Sequence, residues 1–267
     1  MNRKYIYPVL VIIVTIFFYY VERYLDQRPN SDTQSISKET NETGFSYLPI
    51  STGGSIITHN FYTLSYSEKH EQAEWVAYEL KKEHLSNNDF KRPYFEEDKK
   101  IRTSSADWRN YKKSGYDRGH LCPAGDRRFS YQAYEETFLT SNISPQEHQF
   151  NSGVWNRLEK KIRYWARIYD GVHVITGGVL TDNLKTIGYE HVSVPQYFYK
   201  IVWDYDDKNL KAIAFLMPHK ETNDSLNRFI VSIDEIEYMT GIDFFSSLDD
   251  KIENRLEKTR NKKGWKL

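Results

Sequence analysis

One short stretch of the chain concentrates the residue types that hydrolytic chemistry needs. Asp117, Arg118 and His120 stand within four positions, and the stretch ends near Pro123, which breaks regular structure. A histidine can take a proton from water near neutral pH, and a guanidinium can hold two oxygens of a phosphate group. Asn151 follows 31 positions after His120, and its amide oxygen suits a hard cation such as Mg²⁺. Together these residues predict metal-assisted hydrolysis of a phosphodiester.

Each of these residues also has an interpretation without catalysis. A histidine in a polar loop usually makes only a structural or surface hydrogen bond. Asn151 precedes a serine, a glycine and an apolar run, which is typical of a helix N-cap. For Arg118 the alternative is a salt bridge with Asp117, which we expect to orient a neighbour rather than to react. Cys122 is the only cysteine, so an intramolecular disulfide and a cysteine-based zinc site are excluded, and a buried packing role is favoured over a nucleophile.

The chain is neutral overall, but its charges are distributed unevenly. It has 37 Lys+Arg and 37 Asp+Glu among 267 residues. Between Lys99 and Asp170, however, 14 basic residues face 8 acidic ones, and this segment contains the candidate residues. A cleft that binds phosphate would produce this excess, and so would a solvated basic face. Hydrophobic content of 39% is sufficient for a sizeable core in one large domain or two small ones.

The elements expected to position these residues are short strands and one long helix. The pattern from 59 to 66 predicts a strand, and 138–143 predicts a short strand after the catalytic loop. From Asn151 to about Tyr169 the spacing is helical, and Asn151 heads the apolar stripe. Other predictions are a short apolar segment at 75–80, a loop at 81–100, strands at 172–176, 192–203 and 210–218, the last two antiparallel neighbours, and a short helix at 232–239 closed by Gly241.

These elements predict an α+β fold with a central antiparallel sheet flanked by helices. Strand, loop, strand and helix across 110–169 would form a ββα finger. Residues 26–45 are polar and predict a flexible linker. They are followed by a predicted domain over 46–250 and a basic, fraying tail over 251–267.

The N-terminus carries a possible targeting segment. Residues 5–21 contain no charge, and Arg3 and Lys4 precede them. We interpret 1–25 as an uncleaved membrane anchor, with the N-terminus in the cytoplasm and the rest exported. A cleaved signal peptide, giving a secreted or periplasmic protein, is the alternative.

Several motifs in a fixed order resemble one protein family, the DNA/RNA non-specific endonucleases, which carry a ββα-metal finger. The resemblance covers roughly residues 46 to 250. The motifs that carry it are Asp117-Arg118-Gly119-His120, the stretch from Ser141 to Gln146, Asn151 and Trp155 opening a helix, the stretch from Val192 to Lys200, and the stretch from Thr240 to Phe245.

The resemblance implies a role for each motif residue. His120 would be the general base, Arg118 would bind the scissile phosphate, and Asn151 would be the only direct protein ligand of Mg²⁺, with Mn²⁺ or another divalent cation as substitute. Glu159 and Arg163 align with functional positions. Glu159 would act through waters or by orienting Arg163, and an exposed salt bridge between the two is the alternative.

Two further residues, Arg127 and Asn142, are predicted to contact substrate, and Asn142 is also expected to tie a strand to the catalytic loop. The implied activity is cleavage of DNA and RNA that depends little on base sequence, because contacts to phosphate carry no base information. An inactive nucleic-acid-binding domain on the same fold is one alternative, which the intact His120 and Asn151 argue against. A membrane-tethered adhesion or scaffold module is another, and it would expose an apolar patch.

Overall fold

The computed structural model describes residues 48–206 and 209–267, so the predicted anchor and linker lie outside the described residues. In chain order, the strands are β1 (Ser55–Thr58), β2 (Thr63–Ser67), β3 (Gln72–Lys81), β4 (Asp117–His120), β5 (Ile143–Gln146), β6 (Gly171–Gly178), β7 (Thr186–Ile187), β8 (Val192–Ser193), β9 (Tyr197–Asp206), β10 (Asn209–Pro218) and β11 (Ile230–Val231). Seven of them form one sheet in the order β1-β2-β3-β6-β9-β10-β11, and every neighbouring pair is antiparallel.

Helices accompany this sheet, as an α+β fold requires. The α-helices are α1 (Tyr131–Glu136), α2 (His148–Phe150), α3 (Asn156–Ile168), α4 (Ile233–Thr240) and α5 (Asp250–Glu257), and short 3-10 turns cover Lys82–His84, Trp108–Tyr111, Ala124–Asp126, Thr140–Asn142 and Leu226–Phe229. The helix predicted over 232–239 is α4, and Ser232 is its N-cap, because the Ser232 side chain accepts a hydrogen bond from the backbone N–H of Glu235. Helix α4 ends at Gly241, whose φ of 72° is in the left-handed region.

The long helix α3 covers the sheet with its apolar stripe. Leu158, Ile162 and Trp165 are buried, and they share one hydrophobic cluster with Val174 of β6 and Phe215 of β10. The ring centroids of Trp165 and Phe215 are 6.1 Å apart. The predicted stripe is therefore confirmed, and its burial against the sheet fixes which way the start of this helical region faces.

Strands β4 and β5 form a separate two-stranded antiparallel pair and precede α2 and α3 in the chain. Asp117 is opposite Gln146, and His120 is opposite Ile143. The second strand was predicted too early in the chain, because Thr140–Asn142 forms a 3-10 turn and the strand begins only at Ile143. The predicted order of strand, loop, strand and helix is confirmed.

Other boundaries differ from the prediction for local reasons. The first predicted strand begins at Thr63 rather than at residue 59. The predicted strand over 192–203 is divided into β8 and β9, and Pro195, which has no backbone N–H for a ladder, lies between them. Strands β9 and β10 are antiparallel neighbours as predicted, and the short apolar segment at 75–80 lies within β3.

The C-terminal segment is ordered, so the prediction of a fraying tail over 251–267 is wrong. Helix α5 occupies its first part, with Leu256 buried. Trp265 is only 6% exposed, and its ring lies 4.7 Å from that of Trp165. The Trp165 indole N–H donates to the carbonyl of Lys266 at 2.8 Å. The segment 251–267 is mostly polar in composition, but burial of Leu256 and Trp265 keeps it packed against the domain.

Candidate active site

His120 ends strand β4 in a partly buried environment made of aromatic rings and cations. Its ring centroid lies 4.9 Å from that of Phe138 and 5.6 Å from that of Phe95. Burial, followed by the nearby charges of Arg92 and Arg118, lowers the pKa of His120 to about 3. Nε2 is buried and has no hydrogen-bond partner among the described residues. The imidazole is therefore neutral at physiological pH, as a proton acceptor must be.

Arg118 lies two positions before His120 on β4, and aromatic rings hold its guanidinium. The guanidinium carbon lies 4.7 Å from the centroid of Phe95 and 5.8 Å from that of Trp108. Within 48–206 and 209–267, no carboxylate lies within ion-pair distance of it, so the alternative of a salt bridge with Asp117 is not found. Stacking leaves the N–H groups of Arg118 available for an anion.

Asn151 is connected to the same strand through Asp117. Its amide nitrogen donates to Asp117 Oδ2 at 3.0 Å, and His148 Nδ1 lies 2.9 Å from the same oxygen. A carboxylate can only accept, so this contact fixes which end of the amide is nitrogen. The Asn151 amide oxygen has no donor in the described part of the chain. Asp117 therefore orients a neighbour, as the sequence predicted, and leaves an oxygen of the kind that Mg²⁺ prefers.

The N-cap interpretation of Asn151 is not supported by the local backbone. Glu147 is the N-cap, because its side chain accepts hydrogen bonds from the backbone N–H groups of Gln149 and Phe150. Asn151 begins a wide turn over Asn151–Trp155, with a kink at Gly153, before α3 starts. The Asn151 side chain therefore does not act as the N-cap of this helical region.

His219 holds the start of this helical region and was missed by sequence reasoning. Its Nε2 accepts from the Glu147 backbone N–H at 2.6 Å, while Nδ1 lies 2.8 Å from the carbonyl oxygen of Pro195. These two partners define the neutral tautomer with the proton on Nδ1. Burial lowers the pKa of His219. The only sequence feature that could have pointed to His219 was its position directly after the strand predicted over 210–218.

The predicted substrate contacts of Arg127 and Asn142 conflict with their burial. Arg127 is 1% exposed, and its guanidinium donates to the carbonyls of Phe61 and Glu79 at 2.9 and 3.1 Å. Asn142 is fully buried, and its side chain bonds both the N–H and the carbonyl of Cys122, at 2.8 and 3.0 Å. This geometry argues against direct substrate contact by either residue. The Asn142 contacts agree instead with the other expectation for this residue, because its side chain connects its own segment to the loop after His120.

Glu159 and Arg163 belong to a charged cluster but do not pair with each other. Arg163 Nη1 donates to Asp126 Oδ1 at 2.6 Å, and Asp126 also accepts from the Tyr78 hydroxyl at 3.0 Å. Among the ion pairs of the described residues, none joins Glu159 to Arg163, so neither the exposed salt bridge nor the orienting contact is found. Burial raises the pKa of Glu159 to about 7, while the charges of Lys200 and Arg163 oppose that change.

Lys200 connects this charged cluster to the site. It is fully buried, and burial lowers the pKa of its ammonium group. Nζ donates to the carbonyl of Leu121, directly after His120, at 3.3 Å, and to Thr176 Oγ1 at 3.1 Å. It also lies 4.5 Å from the ring centroid of Trp155, in the turn that begins at Asn151. Lysine in a strand that otherwise reads as apolar was a usable sequence signal.

Cys122 has a packing role. It is fully buried, and burial raises the pKa of its thiol to about 12. The thiolate is therefore not available at neutral pH, and a nucleophilic cysteine is excluded.

Comparison with known proteins shows the family of this chain. Residues 39–251 match a family described as DNA/RNA non-specific endonuclease. The chain belongs to this family. Among solved structures, a chain of the EndoG/EndoGI complex has a TM-score of 0.69 at 31% identity, covering 78% of this chain and 91% of that chain. The α+β fold and the ββα-metal arrangement are thus confirmed for this member of the family.

Known relatives are nucleases. Mitochondrial endonuclease G from Homo sapiens is 32% identical over 205 residues, covering 70% of this chain and 68% of that protein. A nuclease from Nostoc sp. is 31% identical over 234 residues, covering 81% of this chain and 82% of that protein. The mitochondrial nuclease EXOG of Danio rerio is 35% identical over 213 residues, but the match spans only 61% of its length.

The predicted location, a membrane anchor with an exported nuclease or a secreted protein, is wrong on this comparison. Several relatives of this chain are named as mitochondrial nucleases, including one from Saccharomyces cerevisiae that is 29% identical over 260 residues. In the part of the chain described, no helix has the length and apolar character needed to cross a membrane. The segment 5–21, on which the predicted membrane contact depended, lies outside that part.

Proposed function

We propose that this chain is a divalent-metal-dependent endonuclease that hydrolyses phosphodiester bonds of DNA and RNA with little preference for base sequence. The observation that carries the proposal is the Asn151 amide, whose nitrogen donates to Asp117 while its oxygen accepts no hydrogen bond from the described residues. Asp117 lies on strand β4, which also carries the neutral His120 and Arg118, an arginine with no ion pair in the described part of the chain. The family membership and the nuclease relatives support the same conclusion.

The metal-binding part of the proposal rests on the donor set. Asn151 would hold the cation, and Asp117 would keep the amide oriented. One direct ligand fits Mg²⁺, which usually keeps several waters beside one or two protein ligands and the substrate phosphate. When bound, the cation supplies charge stabilisation for the phosphate and the leaving oxygen.

The protein residues would perform the remaining steps. His120 accepts the proton of the attacking water. We assign Nδ1 as the accepting atom, because Nε2 is the buried nitrogen of the ring. Arg118, held by its two aromatic neighbours, binds oxygens of the scissile phosphate and the charge that develops on them. Asn142 and Lys200 position the loop after His120 through Cys122 and Leu121.

The decisive experiment incubates the full chain with supercoiled plasmid and with RNA, in Mg²⁺ and in EDTA. We expect cleavage of both substrates that EDTA abolishes. Asn151→Ala should remove Mg²⁺-dependent cleavage, whereas Asn151→Asp keeps part of it because an oxygen ligand remains. Asn156→Ala is the matched control, since it deletes the same group at the start of α3, where its amide only donates to the Ser152 carbonyl. Full activity of Asn151→Ala, or cleavage in EDTA, would refute the proposal.

A further inference from the structure

A cluster of three carboxyl groups lies between the two helices nearest the C-terminus, remote in sequence from β4. Asp234 and Glu237 stand one turn apart on α4, and Glu257 comes from the last position of α5. One side-chain oxygen of each residue lies within 4.8 Å of the other two. Bringing like charges this close is unfavourable unless something neutralises them.

Glu257 provides the observation that points to a ligand. The residue is 6% exposed, and its Oε1 is buried without a hydrogen-bond partner in the described part of the chain. A buried carboxylate oxygen without a partner costs free energy, so such atoms normally contact a donor or a metal ion. Burial, followed by the charges of Glu237 and Glu253, raises the pKa of Glu257 to about 8.

Within the described residues, no basic side chain forms an ion pair with the cluster. Arg255 and Lys258 lie closest to Glu257 in sequence, and neither forms an ion pair among the described residues. The guanidinium of Arg260 pairs with Glu235 at 3.2 Å. None of the ion pairs formed by residues 48–206 and 209–267 includes a cluster member. The surrounding groups add negative charge, since Glu253 and Asp243 both raise the pKa of Glu257. Oxygen donors, negative charge and the absence of a nearby cation together favour a hard metal ion.

The number of carboxyl groups indicates the kind of ion. Ca²⁺ takes roughly six to eight oxygen ligands in flexible geometry and accepts several carboxylates, whereas Mg²⁺ usually keeps several waters beside one or two carboxylates. Three carboxyl oxygens that all lie within 4.8 Å of one another therefore suit Ca²⁺ better than Mg²⁺. We propose that Asp234, Glu237 and Glu257 form a binding site for a divalent cation of the size of Ca²⁺, which connects α5 to α4.

The position of this site gives it a structural consequence. The family match ends at residue 251, so Glu257 lies beyond the segment shared with the family. Helix α5 leads into Trp265, which packs against Trp165 of α3. A cation between α4 and α5 would hold this C-terminal segment in place. Its removal should loosen 251–267 while the sheet remains folded.

The test measures Ca²⁺ binding where the proposed active-site ligand is absent. Metal-free, full-length protein carrying Asn151→Ala is titrated by calorimetry with CaCl₂ and, in parallel, with MgCl₂. We expect one Ca²⁺ site that binds Mg²⁺ at least about tenfold more weakly, because Mg²⁺ demands shorter and more regular coordination. Adding either Glu257→Gln or Asp234→Asn should weaken Ca²⁺ binding by at least about tenfold, since each removes a charged ligand.

Glu253→Gln is the matched control, because it makes the same change one turn earlier on α5, outside the three ligands. We expect its Ca²⁺ affinity to stay within about threefold. Limited proteolysis with a lysine-specific protease provides a local readout. Ca²⁺ should slow cleavage at Lys258 and Lys262 in the Asn151→Ala protein but not after Glu257→Gln is added. Absence of Ca²⁺ uptake, or equal uptake in the Glu257→Gln protein, would overturn the site. Stabilisation by protons alone, between pH 9 and 7 with no response to Ca²⁺, would show instead that the carboxyl groups share a proton.

Discussion

His59 and His120 are both packed against an aromatic ring, yet their nitrogens have opposite surroundings. His59 lies 4.8 Å from the Tyr62 ring centroid, its Nε2 is 2.8 Å from Asp98 Oδ2, and its Nδ1 is 3.8 Å from Glu136. The charged groups around His120 are arginines, and its Nε2 has no partner in the described chain. A histidine held between carboxylates contributes to structure. A histidine among cations stays neutral and available to accept a proton.

Replacing His120 is expected to have the largest effect. His120→Ala should lower the rate of plasmid cleavage at pH 7 by roughly 10²–10⁴-fold, the range for loss of a general base. DNA binding and the melting temperature should remain close to those of the wild type, because the His120 side chain makes no hydrogen bond with the described residues. His84→Ala is the control, since burial also lowers the pKa of His84, to about 4, but this residue contacts neither Arg118 nor Asn151. More than a tenth of wild-type activity in His120→Ala would rule out the assignment.

Replacing His59 should have the opposite effect, with a large loss of stability and a small loss of cleavage activity. His59→Ala leaves Asp98 buried without its main partner, and breaking a buried pair costs about 3 kcal/mol. We expect a lower free energy of unfolding in urea, and at low temperature a loss of cleavage far smaller than that of His120→Ala. A double-mutant cycle with Asp98→Asn should show less than additive loss. Additive effects would mean that the two residues do not act as a pair.

The comparison also explains what the sequence could predict. Motif order selected Arg118, His120 and Asn151 as candidates, because these types are chemically specific and lie at fixed positions. The same reasoning assigned Arg127 and Asn142 to substrate, although burial directs both side chains to backbone groups of the protein. Residue type shows which hydrogen bonds a side chain can make. It does not show whether the protein itself has already used them.

The predicted boundaries of secondary-structure elements were wrong where a single residue or a contact distant in sequence outweighed the local sequence pattern. The predicted strand over 192–203 is interrupted near Pro195, and the polar segment 251–267 is ordered because Trp265 finds Trp165 far away in sequence. The sequence shows that Leu256 and Trp265 are apolar, but it does not show which residues they contact. A short amphipathic helix is stabilised mainly by such tertiary contacts.

A smaller effect is expected in how stability depends on pH, which should differ between the wild type and His120→Ala. Because the pKa of His120 is lowered from 6.5 to about 3, the unfolded chain binds its proton at a higher pH than the folded chain. The stability contributed by this residue is therefore complete above pH 6.5 and is lost as the pH falls towards 3. We expect the melting temperature of the wild type to fall relative to that of His120→Ala between pH 7 and pH 4. A difference that stays constant over this range would show that the imidazole is not kept neutral by its surroundings.

The smallest effect should come from removing one of the cations that surround His120. The Arg92 guanidinium lies 5.6 Å from the ring centroids of Phe95 and Phe138, the two rings that contact His120, and its charge lowers the pKa of that residue. Burial is the larger cause, so Arg92→Gln should raise the pKa of His120 only modestly and leave it below 6.5. NMR titration of labelled histidine in metal-free protein would measure the change. Lys91→Gln, which removes the same charge from the adjacent exposed side chain, should leave the titration unaltered. An equal change in both variants would mean that His120 responds to net charge, and the contrast with His59 would then lose its electrostatic basis.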